Sequence, residues 1–501
     1  MTAEQLTHCF ADPLRSNRML SPSEEAVIRT SYWETDSSIS RLDVEIKELQ
    51  LRRHALCNHR QMLATLLSPV RRLAPELLGE IFRHCLPEDY YENGAYKAVM
   101  LPSHVCKHWR DVALSTPALW TNIVLSVTNA TLERQTALVT TWFSRSGGLP
   151  LSFTLQEAQR NVRPIMAFLL QHCNRWQHVI LYVEFETLQS LEAAEGHFHL
   201  LETVWIGASD NPSYSIGRIF GSAPKLRKLS FGHLLVCNGL PSSWVQLAEL
   251  DLGYVKYTVG DCLTLLESMK NLQKLSVVIE SGVVEHRHFV FSHPLVSLHV
   301  RGEMAHKLFG HITLPNLREL DVDEIDPKWP RSRFISFLEI SSRIQIFSFK
   351  IPEIDDDVWT EYMIQIMQHT PSLHSLCLVY DWGKVDAGSF LERLSPRILD
   401  GGQVECLIPK LNTISIRLRS QICTPDYEAL IEMVLSRRSL GHNTNASDNI
   451  SGPIERILSV EVECCYEDDW DVGDDVRWHK GVSTILAPLQ EVVDTVRVVI
   501  Y

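Results

Sequence analysis

Glu285-His286-Arg287-His288 sets two histidines two residues apart, a spacing that suits neither a helical zinc pair nor a general-base arrangement. Cys464-Cys465 with His479 offers three soft ligands, but adjacent cysteines share one tetrahedral ion poorly and no fourth ligand accompanies them. The acidic run Glu467-Asp468-Asp469-Trp470-Asp471, with Asp474-Asp475, lacks the glycine and carboxylate spacing of a calcium loop and reads as a solvated loop. Phosphate-cradling glycine loops, a nucleophile-elbow serine and the zinc-protease helix are absent at the required spacing. The expectation is therefore no enzyme, no metal and no cofactor. The one catalytic reading left open is a site assembled from distant residues, which would need a deep pocket with convergent groups.

The residues with most to do are apolar. Leu73-Ala74-Pro75-Glu76-Leu77-Leu78-Gly79-Glu80-Ile81-Phe82 puts a proline where a first helical turn tolerates it and a glutamate at the positive helix end. Leu77, Leu78, Ile81, Phe82 and Cys85 then follow at helical spacing, and Pro87 closes the helix. A polar insertion runs from Glu88 to Tyr96. A second helix is expected from about Ser103, carrying Val105, Trp109, Val112 and Ala113, and Thr116-Pro117 leads to Leu119-Trp120. Three short helices in about fifty residues bury too little surface to stand alone. Their apolar faces need a cover, from this chain or from another protein.

These residues resemble the F-box motif, most closely its fungal form: the Leu73 to Phe82 segment, Val105-Cys106-Lys107-His108-Trp109-Arg110 and the terminal Leu119-Trp120 occur in the right order. Ala74 departs from the commoner proline, and the insertion lengthens the first connection, which surface loops tolerate. The resemblance implies docking to a Skp-type adaptor, and through it to a cullin in a ubiquitin ligase. Leu73, Pro75, Leu77, Leu78, Ile81, Val105, Cys106 and Trp109 would be the adaptor contacts, with Phe82 and Trp120 equally readable as internal core. The function implied is that of a non-catalytic substrate-recognition subunit. An adaptor-binding scaffold that never joins a ligase is the alternative.

The elements that position these residues come in four zones. Residues 1–37 are polar and irregular and read as a flexible tail. In 38–67, Leu42, Leu49, Leu56 and Leu63 recur every seven residues, with Ile39, Ile46, Arg53 and Arg60 at the complementary place, and Ser68-Pro69 ends the helix. That seam packs on the chain's own neighbour or pairs with a second copy through residues 39–63. Residues 69–121 form the F-box-like segment.

Over 122–501 a six-residue phrase recurs, apolar at places one, four and six. Clear copies start at 226, 247, 272, 295 and 317, separated by 21, 25, 23 and 22 residues, the period of leucine-rich repeats. Further copies start at Trp176, Leu201, Ile344, Leu373, Leu411 and Ile457, the last three intervals widening to 29, 38 and 46 residues. Each phrase predicts a strand, and stacked units share one core because none buries its own face alone. The region resembles degenerate leucine-rich repeats without their asparagine. The predicted fold class is α/β: a small all-α segment behind a heptad helix, then a curved solenoid with a parallel sheet. Asp251, His299, Arg301, Asp321, Asp323 and Lys350, beside the inward positions, would face the concave side, where they meet a target protein or form an ordinary solvated face.

Composition sets the frame. The 501 residues carry 47 Lys and Arg against 61 Asp and Glu, a net charge of −14, which disfavours nucleic acid as a partner. Twelve scattered cysteines make no disulfide framework or paired metal knuckle. With no secretory leader and no long apolar run, neither a membrane span nor export is expected, and the chain reads as cytoplasmic or nuclear.

Overall fold

In a computed structural model, the described residues are 19–86, 95–128, 130–157, 162–208, 219–232, 244–281, 290–323, 331–350, 356–380, 388–398, 404–418, 427–441, 454–464, 482–483, 485–490 and 492–500. Residues 88–94 of the polar insertion, His286 and His288, the acidic run, Cys465 and His479 lie outside them. The chain forms two compact units, one through Ile81 and the other from Phe82 onward. The division falls inside the 69–121 segment, not at its ends.

In the first unit, helix α1 spans Pro22–Leu66 and buries none of its residues. It takes in the second half of the expected 1–37 tail, so the helix begins well before residue 38. The reason is local: the Ser21 side chain accepts from the Glu24 N–H, Glu24 reaches back to the Ser21 amide at 2.8 Å, and Pro22 occupies the first turn. That is a complete capping box, set in a Ser- and Pro-rich stretch that reads as irregular. Helix α2, Pro75–His84, carries Glu76 in its first turn and Arg83 and His84 in its last, matching the helix dipole.

The division at Phe82 falls within α2, and the second unit continues with α3 (Ala95–Met100), a 3-10 turn at Leu101–His104 and α4 (Lys107–Ser115). The expected helix from Ser103 is thus broken, and Val105 sits between the two pieces rather than on a helix face. Cys106 caps α4, its sulfur accepting the Trp109 N–H at 3.5 Å. Trp120 is buried, donates to the Ala113 carbonyl at 2.9 Å and packs edge-on to Trp142 at 4.6 Å. Through Trp120, the end of α4 is tied to the helix Leu132–Arg145 that carries Trp142.

Among the described residues, beside two small two-stranded sheets, a parallel sheet of fourteen strands comes next, bonded in chain order. The strands are β1 (Asn122–Val127), β2 (Leu151–Glu157), β3 (Trp176–Val183), β4 (Thr203–Ala208), β5 (Lys228–Phe231), β6 (Glu249–Thr258) and β7 (Lys274–Ser281), then β8 (Ser297–Arg301), β9 (Glu319–Asp323), β10 (Ile346–Lys350), β11 (Ser375–Tyr380), β12 (Thr413–Leu418), β13 (Ser459–Cys464) and β14 (Thr495–Ile500). Every one of the eleven recurring phrases falls on a strand of this sheet. Places four and six, such as Leu298 and Val300 or Leu320 and Val322, align across neighbours and are buried. Place one, such as Leu295 and Leu317, is buried where the chain enters the strand.

Two positions require glycine. Gly253, at φ 56°, would place a Cβ 1.9 Å from the Phe231 carbonyl oxygen, and Gly302, at φ 102°, would place one 2.4 Å from that of Ile279. Both are close backbone approaches between successive repeats that no side chain fits. The α/β class holds, with helices following strands along the sheet.

Candidate docking surfaces

Helix α2 divides its apolar residues between two sides. Leu77 and Ile81, four apart, are 58% and 45% exposed, whereas Leu78 and Phe82, also four apart, are 1% and 3% exposed. Consecutive helical positions point about 100° apart, and here that angle separates an exposed Leu77 from a buried Leu78. Leu78 is therefore core, which corrects its placement among the adaptor contacts. Pro75 is exposed at the start of the helix and Leu73 is half-buried just before it.

In the second unit Val105 is 61% exposed and Leu101 65%. Cys106 is exposed too, although its sulfur is engaged as a helix cap. Trp109 is half-buried, its ring 5.0 Å from that of Phe82. It offers an edge, not a free indole. The exposed apolar groups of this segment, Leu77, Ile81, Leu101 and Val105, are aliphatic; what they can do is shed water against another apolar surface.

The strand face gathers polar residues in two rows. Register pairs Asp321 with His299 on one side and Ser348 on the other, and continues to Cys377, Ser415 and Glu461. Two residues further along, Arg301 pairs with Asp323, and Val379, Arg417 and Glu463 align across the later strands. Five of the six expected target-contact residues thus lie on three adjacent strands. His299 Nε2 is 3.7 Å from Asp321 Oδ2, and Lys350 Nζ is 3.9 Å from Asp323 Oδ1. Asp323 itself is buried, which corrects its placement among the target contacts. Asp251 stands apart, with Ser276 between it and His299, and its carboxylate accepts the Gly253 N–H at 3.0 Å. It fastens a turn.

The same offsets in the later phrases identify residues absent from the expected set. Arg417 Nε donates to Glu463 Oε2 at 3.0 Å, half-buried on the same face. Counting one place beyond the third apolar position at Ile416 and Val462 would have found both. Cys377 also belongs to this face, but burial pushes its thiol up despite the Arg417 guanidinium nearby. It is a poor nucleophile. Among the described residues no three His, Cys, Asp or Glu side chains converge on a metal-sized point, and no helix is long and apolar enough to cross a membrane.

No family model matches this chain and no curated protein matches it. Among solved structures, a Bacteroides fragilis protein aligns at 13% identity and a TM-score of 0.30, over 47% of this chain and 64% of its own. The chain thus spans just under two thirds of that protein's length. A leucine-rich-repeat protein of Leptospira interrogans aligns at 11% identity and a TM-score of 0.20, over 66% of this chain and 97% of its own.

Proposed function

We propose that this chain is a non-catalytic recognition subunit of a Skp–cullin–F-box type ubiquitin ligase. The segment around α2 and α4 is its F-box and docks a Skp-type adaptor. The repeat region is a leucine-rich-repeat-like solenoid whose polar strand face holds the target protein. It contributes by raising effective concentration: one partner carries the ligase, the other the lysines, and their joint attachment replaces a bimolecular encounter.

The observation that carries the reading is the outward side of α2, where Leu77 and Ile81 are large, aliphatic and uncovered while their neighbours Leu78 and Phe82 are core. Burying each such side chain in a partner contributes about 1.5–3 kcal/mol. The mixed polar groups of the strand face, His299 beside Asp321 and Lys350 over the buried Asp323, suit a polar protein surface better than a polyanion or an apolar ligand.

The test is co-elution of the purified chain with a recombinant Skp-type adaptor. Leu77→Ala with Ile81→Ala is expected to abolish the complex while the far-UV spectrum stays unchanged. Undiminished binding by that folded variant overturns the assignment. Adding the cullin separates a ligase subunit, which recruits it, from a scaffold, which does not. Charge reversal at Arg301 and Lys350 is expected to reduce capture of a target and to spare the adaptor.

A further inference from the structure

Helix α1 is 45 residues long and buries nothing, so its apolar seam has no cover within its own unit. The seam residues Ile39, Leu42, Ile46, Leu49, Leu56 and Leu63 are each about half exposed or more. A solvated helix of this length, about 68 Å at 1.5 Å per residue, does not hold a strict seven-residue apolar repeat by propensity alone.

Its charges are sorted. From Pro22 to Glu48 there are seven carboxylates against Arg29, Arg41 and Lys47; from Leu49 to Leu66 there are Arg52, Arg53 and Arg60 and no carboxylate. The helix dipole accounts for charge only in the first and last turns, and Asp36, Asp43, Arg53 and Arg60 lie deeper than that. Two of the basic residues, Arg53 and Arg60, occupy the seam itself.

We propose that α1 pairs with a second copy of itself in the antiparallel direction. Centring the pair between Ile46 and Leu49 sets Ile46 against the other copy's Leu49 and Ile39 against its Leu56. Arg53 then falls opposite Leu42 with Asp43 alongside, and Arg60 opposite Thr35 with Asp36 alongside. Glu45 flanks Arg52 on the other edge. Each seam arginine meets a carboxylate, and each acidic half lies on a basic half. In the parallel direction Arg53 would face Arg53 and Arg60 would face Arg60, a like-charge arrangement that charge complementarity disfavours. The pairing is independent of the adaptor assignment and stands or falls without it.

Sedimentation equilibrium of the full chain at micromolar concentration tests it. The expected mass is twice 57.2 kDa, and it falls back toward the single-chain value as salt is raised, because the flanking pairs are solvent-exposed. Arg53→Glu with Arg60→Glu sets carboxylates against Asp36 and Asp43 of the other copy and is expected to give the single-chain mass. Adding Asp36→Lys and Asp43→Lys to that variant restores complementarity only in the antiparallel direction and is expected to restore the double mass. A wild-type chain that sediments singly overturns the proposal. So does a double variant that still pairs, which is the parallel outcome, and so does a quadruple variant that stays single.

Discussion

Leu77 and Leu78 are bonded neighbours about a quarter-turn apart on one helix, the first 58% exposed and the second 1%. Truncating them must therefore do different things. Leu78→Ala empties a packed site and is expected to cost about 2–5 kcal/mol. Leu77→Ala removes nothing from the core and should stay within about 0.5 kcal/mol of wild type. Urea unfolding of the two variants measures the difference, and equal losses would show that Leu77 is covered.

Gly253→Ala forces a Cβ onto the Phe231 carbonyl at a backbone angle that only glycine adopts freely. Strain and overpacking together predict a loss of about 2–4 kcal/mol. Gly147 is the control: it has a similar φ of 59° but open space around it, so Gly147→Ala should cost only about 1–2 kcal/mol. Thermal unfolding midpoints rank the pair.

His293 is buried, its Nε2 3.1 Å from the Met269 carbonyl. Burial lowers its pKa from the ordinary 6.5, outweighing the hydrogen bond, which acts the other way. The folded state holds the neutral ring, and the unfolded chain takes up a proton near pH 6.5. Its contribution is therefore complete above that pH and is lost as pH falls below it. Stability measured from pH 7.5 to 5 should fall less steeply in His293→Gln, which keeps a donor for Met269. Parallel pH profiles for the two proteins would count against the assignment.

Cys262 lies wholly buried in the helix Val259–Ser268, and burial, with the Asp261 carboxylate adding to it, pushes its thiol from 9.0 up to about 12. Above pH 9 the unfolded chain ionises this thiol and the folded chain does not, so stability should decline from there toward pH 12. At pH 8, brief alkylation read by peptide mass spectrometry should modify the exposed Cys85 and Cys106 and leave Cys262 untouched. Labelling of Cys262 at a comparable rate would mean that its helix opens.

The repeat is legible because a parallel strand buried at alternate places leaves the same three-residue signature each time, from Trp176 to Val462. Three strands of the sheet lie outside the eleven phrases. Trp120-x-x-Ile123-x-Leu125 fits the phrase and leads into β1, but Leu119-Trp120 also completes the F-box-like segment, which hides the start of the repeat. In β2 the register shifts between Leu151 and Ser152, which moves the first apolar place one residue closer. Val493-x-x-Val496-x-Val498 also fits and belongs to β14. The exposed apolar side chains are legible as types, not as surfaces: nothing in Leu77-Leu78 tells which of two adjacent leucines faces out until the helix is placed. The start of α1 is hidden because a capping box is built from the same serine, proline and glutamate that mark irregular chain.

Because every strand of the long sheet bonds only to the strands before and after it in sequence, each newly made segment finds its template already in place as it leaves the ribosome. Assembly can then follow synthesis, and no strand has to wait for a distant partner.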